Sequence, residues 1–222
     1  MKRRTSALSV TAAALLAATA APLLTGCSTD AHPGAAAVVG DERITVASVQ
    51  AQVEAVRDAQ RELPEGDQLI AASGALTRDT VANLVQLRLL EAAAEEAGVS
   101  VSRRDVQEER ERSERAVGGA EALERAALTP QVGIPMAGDE QIDQTIRGQL
   151  LYQRLAQRIG ATTRQDMAAA LAETAEEIGV DVNPRYGDWD SEISWLSDEP
   201  APWLREADAG DEGPGQPVTL DG

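Results

Sequence analysis

Hydrophobic positions recur at helical spacing through most of residues 46–178, and glycine or proline interrupts them at intervals. The first such segment follows Thr45, a residue suited to capping a helix, and stops before Pro64. Its apolar face consists of four valines, and Leu63 can extend it: Val46, Val49, Val53 and Val56. A second segment, at residues 78–97, is apolar almost all round, which predicts that it is the central and most buried helix.

Two further helices are predicted by paired polar residues at their starts. Ser102 precedes Asp105 by three positions and Thr163 precedes Asp166 by three, which is the spacing of a capping box. We also expect a short helix at residues 120–128 and a long amphipathic helix at residues 139–159, closed by Gly160. Only residues 160–163 then separate the last two helices.

Two stretches break the helical pattern. Residues 35–46 (AAAVVGDERITV) place short β-branched runs on either side of Gly40 and Asp41, which predicts a small hairpin. An isolated hairpin is marginal in water, so this one needs a third strand or a helix to pack on. Residues 180–190 (VDVNPRYGDWD) are expected to be extended, because Pro184 cannot continue a helix.

The N-terminus has the pattern of an export signal. Three basic residues and an apolar run at residues 7–24, which is short and Ala-rich for a membrane span, lead to the one cysteine of the chain through Leu24, Thr25, Gly26 and Cys27. These four residues resemble the lipobox of bacterial lipoproteins. The resemblance implies cleavage before Cys27, acylation of its thiol, and a lipid-anchored location on the extracytoplasmic face of the cell membrane. The alternative is a signal peptide or membrane anchor in which Cys27 occurs by chance, and the Sec and twin-arginine routes both stay open.

The chain after Gly26 is strongly acidic and lacks the residues that several kinds of chemistry require. It carries 37 acidic and 17 basic residues, a net charge of −20, so nucleic acid and anionic headgroups would be repelled. His32 is the one histidine and Cys27 is acylated, so we expect no catalytic dyad, no enzymatic activity, no metal site and no cofactor. We interpret one alternating acidic run as solvated surface and not as part of a calcium loop: Asp188, Asp190 and Glu192.

Three segments, taken in order, resemble the SurA-type chaperone domain of extracytoplasmic foldases of the SurA and PrsA kind. They are residues 35–50 (AAAVVGDERITVASVQ), residues 84–106 (LVQLRLLEAAAEEAGVSVSRRDV) and residues 180–190. The resemblance implies a mainly α fold of about five to six helices, closed by a small β-sheet that pairs the N-terminal hairpin with the late C-terminal strand. Val180 and Val182 would then share one face of that sheet, with Pro184 at the strand's edge or end. The alternative is a proline-containing exit loop that packs nowhere.

Many members of that family carry a parvulin-type prolyl isomerase, inserted before the closing helix. Here the insertion point would fall in residues 160–163, which leave no room, and the histidines of parvulin sites are missing. We therefore expect a chaperone module without the isomerase, in which Tyr152 and Tyr186 are structural residues. It would bind unfolded or extended polypeptides without ATP, through residues that the sequence does not identify. The alternative is a dedicated interaction lipoprotein that serves one envelope partner.

The predicted domain organisation has four parts. They are a lipoprotein signal peptide (residues 1–26), the lipidated cysteine and a flexible tether (27–35), the SurA-like helical domain (36–190) and an acidic, disordered tail (191–222). All three tryptophans lie in or just before that tail. Either they are incidental, or the tail docks on the domain or on a partner through its apolar residues: Trp195, Leu196, Trp203 and Leu204.

Overall fold

The computed structural model describes residues 33–130 and 133–197. These residues form a mainly α fold with a small three-stranded sheet, as predicted. Helix α2 and a second, two-stranded sheet add to the predicted elements. The elements follow one another as β1 (Ala35–Val39), β2 (Glu42–Thr45), α1 (Val46–Arg61), α2 (Gly66–Ala72), α3 (Leu76–Glu96), α4 (Arg103–Val117), α5 (Ala120–Leu128), α6 (Gly138–Ile159), α7 (Arg164–Ile178), β3 (Val180–Val182), β4 (Trp189–Asp190) and β5 (Trp195–Leu196).

The first sheet joins the two ends of the domain. Strand β1 lies in the centre and pairs antiparallel with β2 on one side and with β3 on the other. Ala37 is the partner of both Ile44 and Val182, so the late strand completes the N-terminal hairpin and that prediction is confirmed. Pro184 begins a single 3₁₀ turn directly after β3, where its missing N–H breaks no ladder hydrogen bond.

Helix α3 is the centre of the core, as its apolar sequence predicts. Strand β1 and helices α1, α6 and α7 all pack against it. Each large aliphatic side chain that this packing buries contributes roughly 1.5–3 kcal/mol of transfer free energy. The buried positions run along its whole length: Leu76, Thr80, Val81, Ala82, Leu84, Val85, Leu87, Leu89, Leu90, Ala93 and Ala94.

The two predicted capping boxes both form, which fixes where α4 and α7 begin. The Ser102 hydroxyl accepts from the backbone N–H of Asp105 at 3.2 Å, and Thr163 accepts in the same way from Asp166 at 3.1 Å. Each aspartate carboxylate accepts in return from the N–H of its cap residue, at 2.7 and 2.8 Å. Arg154 of α6 also lies 2.9 Å from the Asp105 carboxylate. The hydrogen bonds from Arg154 and Ser102 hold the pKa of Asp105 well below its ordinary value of 3.8.

Helices α3 and α6 lie side by side and run in the same direction. Gly148 lies against Leu87. Ten residues further along each chain segment, the Arg158 guanidinium binds the carbonyl of Ala97, which shows that the two helices are parallel. Three arginines of α6 hold the connection between α3 and α4 by donating to its carbonyls at 2.9, 2.6 and 3.1 Å: Arg147 to Val101, Arg154 to Ser100 and Arg158 to Ala97.

The folded chain continues past residue 190, where the sequence predicted the domain to end. Strands β4 and β5 pair antiparallel, and the side chain of Leu196 is only 2% exposed within the main core. Arg78 of α3 donates to the carbonyls of Leu196 and Ser197, both at 2.7 Å. Asp190 builds the intervening turn by accepting from two backbone N–H groups, those of Glu192 and Ile193. Residues 191–197 therefore belong to the domain and not to a disordered tail.

Candidate functional site

A groove of about 320 Å³ runs between α3 and α6, and Leu171 of α7 also lines it. The two helices approach closely because α6 has a glycine at the contact. A Cβ atom at Gly148 would lie 3.3 Å from Cδ1 of Leu87, which is a tight contact. The groove is thus a consequence of parallel packing with one small residue at the crossing.

The floor of the groove is apolar. Leu87, Leu90 and Leu171 line it and are 7%, 6% and 4% exposed. Leu90 and Leu171 also belong to the main core beneath it. Tyr152 stands beside them with 36% of its surface exposed, although the sequence indicated only a structural role for this residue. An apolar side chain entering the groove would therefore meet leucine and tyrosine surface.

Carboxamides surround this floor. They are polar but uncharged, and each carries both a hydrogen-bond donor and an acceptor. None of them makes a side-chain hydrogen bond to another described residue, so their hydrogen-bonding capacity is directed to solvent. They come from both helices: Asn83 and Gln86 on α3, and Gln144, Gln149 and Gln153 on α6.

The groove is also free of charge. None of the described residues that line it is acidic or basic, although the chain after Gly26 carries a net charge of −20. Burying a charge without a partner is far more costly than burying a hydrogen-bonded amide. A lining of leucine and carboxamide can therefore be covered by an uncharged segment of polypeptide at little desolvation cost.

Residues 1–117, more than half of the chain, match the protein family described as the SurA-like N-terminal domain. The chain belongs to this family. The match ends at the last residue of α4, so in this SurA-like protein the α3 wall of the groove lies inside the matched part and the α6 wall lies beyond it. Comparisons with curated proteins and with solved structures give no match.

The residues predicted to form a site in this SurA-like chain fall in different places. The lipobox and lipidation residues Leu24, Thr25, Gly26 and Cys27 lie outside the described residues, as do His32, Trp203 and Leu204. Trp195 and Leu196 form β5. Leu196 belongs to the core and the partly buried Trp195 packs against it, and neither lines the groove. Tyr186 lies beneath Arg185, whose guanidinium carbon is 6.0 Å from the ring centroid.

Two further properties concern only the part of the chain that the structure describes. No helix in it is long and apolar enough to cross a membrane. No group of three or more histidine, cysteine, aspartate or glutamate residues in it is arranged to hold a metal ion.

The groove itself was not identified from the sequence. Its signal was the pair of uncharged polar residues, Asn83 and Gln86, between the buried apolar residues of α3. The carboxamides of α6 lie on the polar side of an amphipathic helix, where they resemble ordinary solvated positions. Only the parallel packing of α3 and α6 brings the two sets together.

Proposed function

We propose that this protein is an ATP-independent chaperone of the cell envelope, which holds unfolded or extended segments of exported proteins. The observation that carries the proposal is the groove between α3 and α6, with its leucine floor and with carboxamides that bind no other described side chain or carbonyl. Membership in the SurA-like family is consistent with a chaperone-type role.

The chemistry of the groove suits an extended peptide. Such a peptide presents one backbone donor and one acceptor per residue, and a carboxamide can satisfy either. Two side chains buried on Leu87 and Leu90 would contribute about 3–6 kcal/mol, part of which association entropy removes. Binding would thus be weak and reversible, as a holdase that works without nucleotide requires.

We further propose that the domain is held at the extracytoplasmic face of the membrane by a lipid on Cys27. The support is the sequence from the basic residues 2–4 to the Leu24–Cys27 tetrapeptide. We also propose that it acts without an isomerase. Gly160 closes α6 in a left-handed conformation and Thr163 already caps α7, so the connection between them is a tight turn.

A pair of variants tests the groove. Replacing Gln149 and Gln153 by glutamate keeps their shape and adds two charges at the rim, whereas the same change at Gln157 and Gln165 adds two charges elsewhere. All four residues are exposed, so both variants should fold. We expect the first variant to need about tenfold more protein to suppress aggregation of an unfolded model protein, measured by light scattering. Equal protection by both variants would contradict the assignment of clients to this groove.

Two further measurements address the rest of the proposal. The protein should not accelerate a proline-limited refolding reaction, and strong acceleration would contradict the absence of an isomerase. A photo-crosslinking residue in place of Tyr152 should capture many unrelated exported proteins in living cells. Capture of one stoichiometric partner would instead support the dedicated interaction lipoprotein.

A further inference from the structure

The end of the described chain is fixed next to the start of α3. Arg78, in the first turn of α3, binds the carbonyls of Leu196 and Ser197 at 2.7 Å. The α3 residues of the groove extend from Asn83 to Leu90. At 1.5 Å per residue they lie about 8–18 Å further along the helix axis than Arg78.

The sequence that follows Ser197 contains a short uncharged segment. Residues 200–204 (PAPWL) are flanked by Asp198 and Glu199 on one side and by Arg205 and Glu206 on the other. Trp203 is the sixth residue after Ser197, so an extended chain would carry it about 20 Å. Leu90 lies about 18 Å along α3 from Arg78 and about 120° around it, an arc of about 12 Å at the helix surface, so the path is about 22 Å. The extended chain and the length of the Trp203 side chain would together cover this distance.

We propose that residues 200–204 dock in the groove between α3 and α6, with Trp203 on the leucine floor. The match is chemical as well as geometric. The segment brings no charge into an uncharged lining, and its two prolines bring no backbone N–H that would need a partner. The indole N–H is a donor for a carboxamide oxygen, and the proline carbonyls accept from the carboxamide N–H groups.

The docked segment occupies the groove that the proposed function assigns to clients. Its competition with clients therefore rests on the proposed function, whereas docking itself does not. A tether of this length holds the segment at an effective concentration of about 1 mM. With an intrinsic dissociation constant on the order of 0.1 mM, the segment fills the groove about nine-tenths of the time. Client binding is then weakened about tenfold, because only the open fraction can bind.

Docking is tested directly by NMR of the full-length chain in detergent. The indole N–H signal of Trp203 is assigned by its loss in Trp203→Phe, and its exposure is measured by broadening with a neutral gadolinium chelate. We expect the signal to be protected relative to a free peptide of residues 198–208. Equal broadening in the chain and in the peptide overturns the proposal.

The groove variant locates the docking site. The double change of Gln149 and Gln153 to glutamate should expose the Trp203 indole, while the matched change of Gln157 and Gln165 should leave it protected. Protection that survives in both variants places the segment elsewhere and overturns the site proposed for it.

A second experiment measures the effect on clients by fluorescence anisotropy of a labelled extended apolar peptide. Trp203→Ser with Leu204→Ser should raise its affinity about tenfold, whereas Val218→Ser with Leu220→Ser, the matched control in the tail, should not. A protected indole with unchanged peptide affinity supports the docking and overturns the assignment of clients to the groove. A fully exposed indole, together with peptide binding that still depends on Gln149 and Gln153, overturns the docking and supports the assignment of clients to the groove.

Discussion

The domain extends beyond residue 190, and Leu196→Ala measures how much this extension contributes to stability. The Leu196 side chain is 2% exposed and belongs to the main core, where β5 packs on α3. Truncation to alanine removes three carbon atoms, worth about 2.4 kcal/mol at 0.8 kcal/mol per buried methylene. The cavity left behind adds to this, and losses of about 2–5 kcal/mol are usual for buried leucines. Because a two-residue strand near the domain's edge can collapse partly, we expect about 3 kcal/mol.

Ile193→Ala is the matched control, since Ile193 sits in the same hairpin but is 61% exposed. Its effect should stay within about 0.5 kcal/mol. Both free energies of unfolding are measured by urea titration followed by far-ultraviolet circular dichroism, and the slope with urea should not change. A loss below about 1 kcal/mol for Leu196→Ala, equal to that of the control, would refute the reasoning and return residues 191–197 to the tail.

Two other changes give clear expectations. Asp105→Asn should lower the free energy of unfolding at pH 7. The gap in this free energy between the variant and the unaltered chain should become smaller toward pH 3. The lowered pKa of Asp105 means that the unfolded chain takes up its proton first as the pH falls through about 3.8, so this stabilisation is lost on acidification. Urea midpoints at the two pH values check this, with the exposed Glu95→Gln as control, and an unchanged difference would contradict it. Cys27→Ser should abolish metabolic labelling by a palmitate analogue, and retained label would exclude lipidation at this thiol.

Features that depend on nearby residues could be predicted from the sequence. A capping box needs only two side chains three positions apart, as at Ser102 and Asp105, and its hydrogen bonds form within one turn. The buried character of α3 was likewise visible, because apolar residues occupy nearly every side of it. The pairing of β3 with β1 was predicted through the family resemblance and not from local pattern.

Helix α2 could not be predicted because its reason lies outside it. Pro64 and Gly66 give the segment the composition of a loop, and Glu65 supplies no side-chain cap. A Cβ atom at Gly66 would lie 2.2 Å from the carbonyl oxygen of Gln60, so the glycine is there to let the chain pass close to the end of α1. This close approach depends on where α1 ends in space, and the hydrophobic periodicity of the sequence does not predict it.

Long-range contacts explain the two other differences. Residues 191–197 have the acidic composition of a tail, yet Arg78 binds their carbonyls across more than a hundred residues of sequence. The groove depends in the same way on the alignment of α3 with α6. Polar residues such as Gln149 acquire a shared surface with Gln86 only after that alignment is fixed.

The central position of β1 sets the order in which this domain can fold during synthesis. The N–H of Asn183 binds the carbonyl of Ala36 at 2.9 Å, so the sheet is closed by a pairing between the two ends of the domain. Closing a loop of this length costs about 4 kcal/mol of chain entropy, which only the finished core can offset. A chain synthesised from its N-terminus is therefore almost complete before its first strand gains its last partner. Until then one edge of β1 has unpaired backbone groups. Because β1 has only five residues, few hydrogen bonds can form between this edge and another polypeptide.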